Sequence, residues 1–263
     1  MNYAHGGSAV ASTDPMKKIN FRFDPGIRAQ FGVRPKHDDW EFDAVWTHFY
    51  AKSSGSTSDS VFPNFYPPSA TVSTSTSATW RLNMNVADLE LSRATYISKW
   101  LSTRPYLSLR GAWIGQKYLI NSNGVANSSS DMQSYLYSVG PRGGFDLKFG
   151  LGQGLYVFND SSAAMLWGYF KNTQNTLGAT SYYRNMNVHT TTFNVDMSLG
   201  LGWDRLVDEG HYRVSLRGSW DHSIYFDANY FASYPALATI DAFDTARGNL
   251  SLEGFTFAFR LDF

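Results

Sequence analysis

Ser219, Asp221 and His222 place the three side-chain types of a nucleophilic triad within four positions. A triad is a geometry, hydroxyl to imidazole to carboxylate, and not a spacing. The surrounding run Tyr212, Val214, Leu216, Gly218 and Trp220 alternates with Arg213, Ser215, Arg217, Ser219 and Asp221, the period of an extended strand. Neighbours on a strand point to opposite faces, so Asp221 and His222 diverge and no catalytic residue is assigned. No GxSxG, HExxH or phosphate-binding loop occurs. The histidines His5, His37, His48, His189, His211 and His222 are scattered without metal-ligand spacing, and rim or interface positions account for them. Cysteine is absent, which removes a disulfide framework, a thiolate zinc site and a thiol nucleophile. The expectation is a protein that is not an enzyme, with no metal and no cofactor.

The remaining charged residues are therefore the informative ones. The 263-residue chain carries 22 Lys plus Arg and 22 Asp plus Glu. A net charge of zero lacks the basic footprint of a nucleic-acid binder. Charged residues make up 17% of the chain and aromatics 16%. Soluble domains carry roughly 25% charged residues. A membrane helix needs about 20 mostly apolar residues, and the best apolar run, Ala163 to Phe170, is far shorter. The opening MNYAHGGSAVASTDPMKK lacks the basic-then-apolar order of a signal peptide.

The charges fall on one parity of long alternating runs. From His189 through Thr191, Phe193, Val195, Met197, Leu199 and Leu201 to Trp203 the odd positions are largely apolar, while Asn194, Asp196, Ser198, Gly200 and Gly202 face the other way. Phe255, Phe257, Phe259, Leu261 and Phe263 oppose Thr256, Ala258, Arg260 and Asp262; Tyr135, Tyr137, Val139, Phe145, Leu147 and Phe149 oppose Arg142, Asp146 and Lys148. Ile27 to Arg34, Trp40 to Thr47, Trp80 to Val86 and Leu107 to Trp113 repeat the pattern, which predicts about nine long strands. Only Leu91 to Leu101 suggests a helical turn, a connector closed by Pro105.

Apolar side chains on strands this long can converge on a soluble core or face lipid. Three features favour lipid. A bilayer is crossed by about 9–11 tilted strand residues. Aromatics gather at strand ends, where Trp40, Tyr50, Trp80, Trp113, Trp203, Trp220 and Phe263 would form membrane-interface girdles. The polar parity carries both signs, as a wet or salt-bridged lumen requires. The expected pore-lining set is Arg28, Arg34, Glu41, Asp43, Arg81, Arg110, Arg142, Asp146, Lys148, Asp196, Arg213, Arg217, Asp221 and Arg260. Cations outnumber anions in it, which points to anion preference if water fills the lumen.

Connections alternate in length. Residues 52–79, 121–132, 172–187 and 227–249 read as long extracellular loops, the first a Ser/Thr tract that could serve a receptor or adhesin role. Pro35 to Asp38, Gly152 to Gly154 with Asn159 to Ser162, and Asp204 to Gly210 read as short links. Long outer loops and short periplasmic turns are the habit of an outer-membrane meander. The fold expected is all-β, a single domain over residues 1–263, forming an antiparallel up-and-down transmembrane β-barrel of about ten strands. Counting strands back from the C-terminus leaves one upward strand short. Residues 1–20 are therefore expected to be the remnant of a first strand and its loop, with residues near Met1 to Val10 as a short closing strand or a further strand upstream.

Several stretches resemble a known family: FDPGIRAQFGV, HDDWEFDAVWTHFYAK, WRLNMNVADLELSR, RPYLSLRGAWIGQKY, SVGPRGGFDLKFGLGQGLYVF, GSWDHSIYF and LSLEGFTFAFRLDF. In this order they are similar to the pore-forming major outer membrane proteins of Legionella and the chlamydiae, over most of Phe23 to Phe263. The resemblance implies the bacterial outer membrane as location and a porin-like passive channel as activity. It also implies an assembly signal at Phe259 and Phe263, read by the barrel assembly machinery. Cysteines that family members carry near the GQG and WDRLVDEGHY turns are missing, so disulfide cross-linking is not expected. Outer-membrane lipid is the expected partner, with homo-oligomerisation open and nucleic acid excluded. About eight strands leave an interior just filled by side chains. A non-transporting structural or adhesive barrel with a filled lumen therefore stands beside the channel reading.

Overall fold

The computed structural model describes the chain except residues 1, 7–16, 36–38, 60, 64–72, 125–126, 179–180, 209–210 and 234–243. The side chains of 2–6, 61–63, 182, 232–233 and 244–247 are likewise outside the description. The described residues form strands β1 (Asn2–Gly6), β2 (Lys17–Lys18), β3 (Gly26–Val33), β4 (Trp40–Thr57), β5 (Val61–Pro63), β6 (Ser73–Arg93) and β7 (Thr95–Tyr96). They continue as β8 (Leu101–Gly124), β9 (Ser128–Gly152), β10 (Leu155–Leu177), β11 (Tyr182–Val207), β12 (Tyr212–Ser233) and β13 (Asp244–Asp262). Nine of these are long, as the alternation predicts. Each pairs antiparallel with the next long strand, in the order β3, β4, β6, β8, β9, β10, β11, β12, β13.

Side-chain contacts between strands that are not neighbours show that this sheet curls. Arg110 of β8 reaches Asp196 of β11, Arg28 of β3 reaches Asp221 of β12, and Arg260 of β13 reaches Glu41 of β4. Among the described residues no backbone pairing joins β3 to β13. The expected closing strand is corrected in place. β1 pairs with β2 and, through Ala4↔Pro63, with β5, so its described residues lie beside the start of β6 and not between β3 and β13. Residues 7–16 of that expectation lie outside the description.

The strands exceed their expected bounds at the end away from the short links. Much of each segment expected as a long loop is paired ladder. β4 and β6 remain in register from Tyr50↔Asn83 to Thr57↔Thr76, β8 and β9 to Ser122↔Ser128, and β10 and β11 to Thr176↔Tyr182. β12 and β13 are still paired at Ser233↔Asp244, leaving 234–243 outside the description. The Thr76–Ser122 and Ser130–Thr176 hydroxyl pairs, at 3.1 and 3.0 Å, tie this summit across strands without apolar alternation. At the opposite end the links are tight. Gln153 and Gly154 alone join β9 to β10, and Asn159 to Ser162 lie inside β10. Gly154 adopts φ +83°, and a Cβ there would stand 2.2 Å from the Asp204 carbonyl oxygen, which only glycine tolerates. The expected helical turn at Leu91 to Leu101 is absent: β6 runs through Arg93, and β7 folds back on β8 at Thr95↔Thr103.

Candidate functional site: the two-tier interior

Polarity changes with height inside this curled sheet. At the end carrying the short links, the inward parity is ionic. At the summit end it is apolar, with Trp80, Leu82, Met84 and Val86 of β6 meeting Ile114, Tyr118, Ile120, Leu136, Leu166, Phe170 and Tyr225 in one buried cluster. The exterior runs the other way. Around the ionic tier it is apolar and exposed, as in Leu107, Leu109, Phe149, Val195, Leu199, Leu201, Phe257 and Phe259. Around the apolar tier it is polar, as in Arg81, Asn83, Asn121, Lys171, Asn175 and Asn187. The strands pass from one regime to the other without changing parity. On β6 the inward positions read Trp80, Leu82, Met84, Val86 and then Asp88, Glu90, Ser92.

Two expectations are corrected by this exchange. Trp80, expected in an interface girdle, is interior and 4% exposed, with Phe21 edge-on at 5.1 Å and its indole N–H donating to Gln116. Arg81, expected to line the lumen, faces outward. Around the summit tier the exterior is the polar face, so the face packed away from solvent is the apolar one. Trp40, Tyr50, Trp113 and Trp220 are exposed on the exterior, Trp203 is half-buried there, and Phe263 is almost fully exposed.

The other expected lumen residues are brought together. Arg110 grips Asp88 with two bonds of 2.7 and 2.8 Å, and its remaining Nη1 reaches Asp196 at 2.5 Å and Asn194. Arg142 binds Glu90 at 2.5 Å, Ser162 at 3.0 Å and the Tyr106 hydroxyl at 3.0 Å; that hydroxyl donates to Asp160 at 2.8 Å. Such forked, charge-assisted contacts are what let guanidinium and carboxylate groups share a buried site. Nearer the short links, Arg217 pairs with Asp146 at 3.2 Å and lies over the rings of Tyr156 and Phe158. Tyr156 donates to Asp204, which also holds Arg213. Lys148 stands over the Tyr156 ring at 5.0 Å. Glu41 gathers Arg34 at 3.1 Å, Arg104 at 3.5 Å and Arg260, while Asp43 takes Arg104 at 3.2 Å.

Asp88, Glu90, Arg104, Asp160 and Asp204 belong to this tier and were not among the expected residues. With Arg81 removed and four carboxylates gained against one arginine, the expected cation excess disappears. Filling is uneven around the ring. Arg110 and Arg142, amid β6 to β11, have side chains only 6% and 8% exposed. Arg28 and Arg260 stand on β3 and β13, whose outer edges have no partner strand among the described residues, and with no neighbour there they retain 51% and 37%. Among the summit residues a cavity of about 20 Å³ touches Met132, Asn172, Gln174, Arg184 and Tyr230. That is room for roughly one water.

The triad-like residues separate as the strand period requires. Ser219 and Asp221 face inward, 2.7 Å apart, whereas His222 bonds Ser251 on β13 at 2.9 Å. Among the described residues no three His, Asp or Glu side chains are placed to hold a metal ion. No described helix is long and apolar enough to cross a membrane. A family model described as Legionella pneumophila major outer membrane protein precursor matches residues 1–263. No curated protein and no solved structure matches the chain.

Proposed function

Because the chain belongs to the Legionella major outer membrane protein family, and so to the bacterial outer membrane, we propose that it is a porin-like barrel passing small ions. The observation that carries this reading is the ionic tier itself. Fixed charges of both signs, from Arg28, Arg34, Arg217 and Arg260 to Asp146, Asp204 and Asp221, take the inward parity along the part of the strands whose exterior is apolar. A lumen lined by fixed charges of both signs favours small hydrated ions over apolar solutes. The exterior belt supplies the lipid contact. Each large apolar side chain removed from water there contributes about 1.5–3 kcal/mol. Phe259 on the last strand and Phe263 just beyond its end are both exposed, which suits recognition by the barrel assembly machinery.

Planar-bilayer recording of the purified, folded protein tests the channel. Discrete current steps are expected, with Arg260→Glu raising cation over anion permeability. The chain has no cysteine, so single cysteines at Ala258 and Ser138 give a clean second measurement. A charged thiol reagent should modify the first within minutes and block current, and leave the second unmodified. Absence of current steps in folded protein would instead favour the second reading, a structural envelope barrel with a filled lumen. The apolar summit tier is what favours that alternative.

A further inference from the structure

We propose that Lys52, Arg81 and Lys117 form an exterior binding row for the phosphate groups of an outer-leaflet glycolipid. These three residues lie on adjacent strands at one register, Lys52↔Arg81 and Arg81↔Lys117, and all face outward. Like charges directly opposite each other on neighbouring strands are destabilising. A sheet that keeps three in line therefore gains from an anion that bridges them.

Their height identifies the anion. One outward position below Lys52 stands Tyr50, and two below Lys117 stands Trp113, both exposed at the top of the apolar belt. The row therefore lies where the hydrocarbon ends on the summit side of the protein. There a bilayer presents phosphorylated headgroups. The flanking outward residues Asn83, Asn85, Thr79 and Ser54 are neutral hydrogen-bonding groups suited to sugar hydroxyls. Asp131 takes one side of Lys117 at 2.9 Å, and Asp24 binds the Lys52 backbone N–H at 3.3 Å. Arg81, between them, faces outward with its planar fork, the geometry that grips phosphate by two bonds. The proposal does not depend on whether the lumen conducts.

The test compares full-length wild type with Arg81→Gln and with Lys52→Gln/Arg81→Gln/Lys117→Gln, folded into three kinds of vesicle. One contains bisphosphorylated lipid A in a zwitterionic lipid, one the same lipid A after removal of its phosphates, and one the zwitterionic lipid alone. Wild type should unfold at a higher temperature with the phosphorylated lipid than with either other composition. A fluorescent bisphosphorylated lipid A should also partition onto it about five-fold more strongly for each cation of the row. Free inorganic phosphate in the zwitterionic vesicles should not reproduce the effect. In the zwitterionic vesicles Arg81→Gln relieves repulsion and should leave the unfolding temperature equal or higher, while the triple variant also gives up the exposed Lys117–Asp131 pair and should stay within a few degrees of wild type, which shows that both variants fold. Equal stabilisation of wild type and triple variant by phosphorylated lipid A overturns the proposal. So does equal stabilisation of wild type by the dephosphorylated form, or full replacement of the lipid by free phosphate.

Discussion

The carboxylate of Glu41 on β4 is ion-paired with the guanidinium of Arg260 on β13, 219 positions later in the chain. No strand pairing joins β3 to β13 among the described residues, so this bond links the two ends of the sheet through the lumen. Glu41 also holds Arg34 and Arg104, and its side chain is 5% exposed. Replacing it with glutamine leaves three cations without their shared counter-charge. Glu41→Gln should destabilise the folded state by about 3 kcal/mol, in the range for breaking a buried pair. Arg260→Gln should cost roughly 1 kcal/mol or less, since that partner is more than a third exposed. Urea unfolding in detergent, followed by tryptophan fluorescence, reads both. Equal costs would contradict the unequal burial.

Two leucines seven residues apart on β6 should behave differently. Leu82 lies in the summit core with no exposed surface, while Leu89 is 63% exposed on the exterior. Leu82→Ala should cost about 2–5 kcal/mol, the range for emptying a packed interior site. Leu89→Ala should move the unfolding midpoint little in detergent, where micelle replaces the lost contact. If the two midpoints shift alike, the interior and exterior assignments on β6 are wrong.

An arginine scan locates the limits of the hydrocarbon. Met197→Arg and Leu199→Arg, on the exposed apolar face of β11, should each cost about 2–4 kcal/mol in vesicles, as at a bilayer midplane. Asn83→Arg and Asn187→Arg, on the same exterior but around the summit tier, should cost less than about 1 kcal/mol. Folded fractions from heat-modified gel mobility measure the contrast. A uniform penalty along the strands would remove the boundary.

At the β9–β10 turn, Gly154→Val should lower stability by about 1–3 kcal/mol, because the backbone is left-handed and the new Cβ meets Asp204. Gln153→Gly, at a non-glycine position with φ 54°, should be neutral or stabilising by up to about 1 kcal/mol. Thermal midpoints in detergent decide it. Destabilisation by the second substitution would show that Gln153 contributes more than its backbone costs.

The strands were legible because a period of two survives wherever one face is apolar, and the inward parity of Arg110, Arg142, Asp196 and Arg217 follows from it. Two things hid the rest. The summit ladders pair Ser, Thr and Asn with one another, as at Thr76–Ser122, so neither face is apolar and the stretch reads as loop. On β6 the two parities exchange character between Val86 and Asp88 with no slip in register. Taking lipid to lie outside along the whole strand therefore sends Trp80 to the membrane and Arg81 to the lumen. Asp88 and Glu90 escape a sequence reading for a related reason: the apolar alternation on the even positions ends at Val86. The residues themselves carried the clue: even positions turn from apolar to acidic as odd positions turn from polar to apolar.

On β8 the summit ladder continues eleven residues past Trp113 to Gly124, on the order of 30 Å of chain at strand spacing. That ladder is a stalk that carries its own end well clear of the greasy collar beneath. That stalk rests on its own oily pith, so surface variation at the tip could accumulate without loosening the part anchored in the envelope.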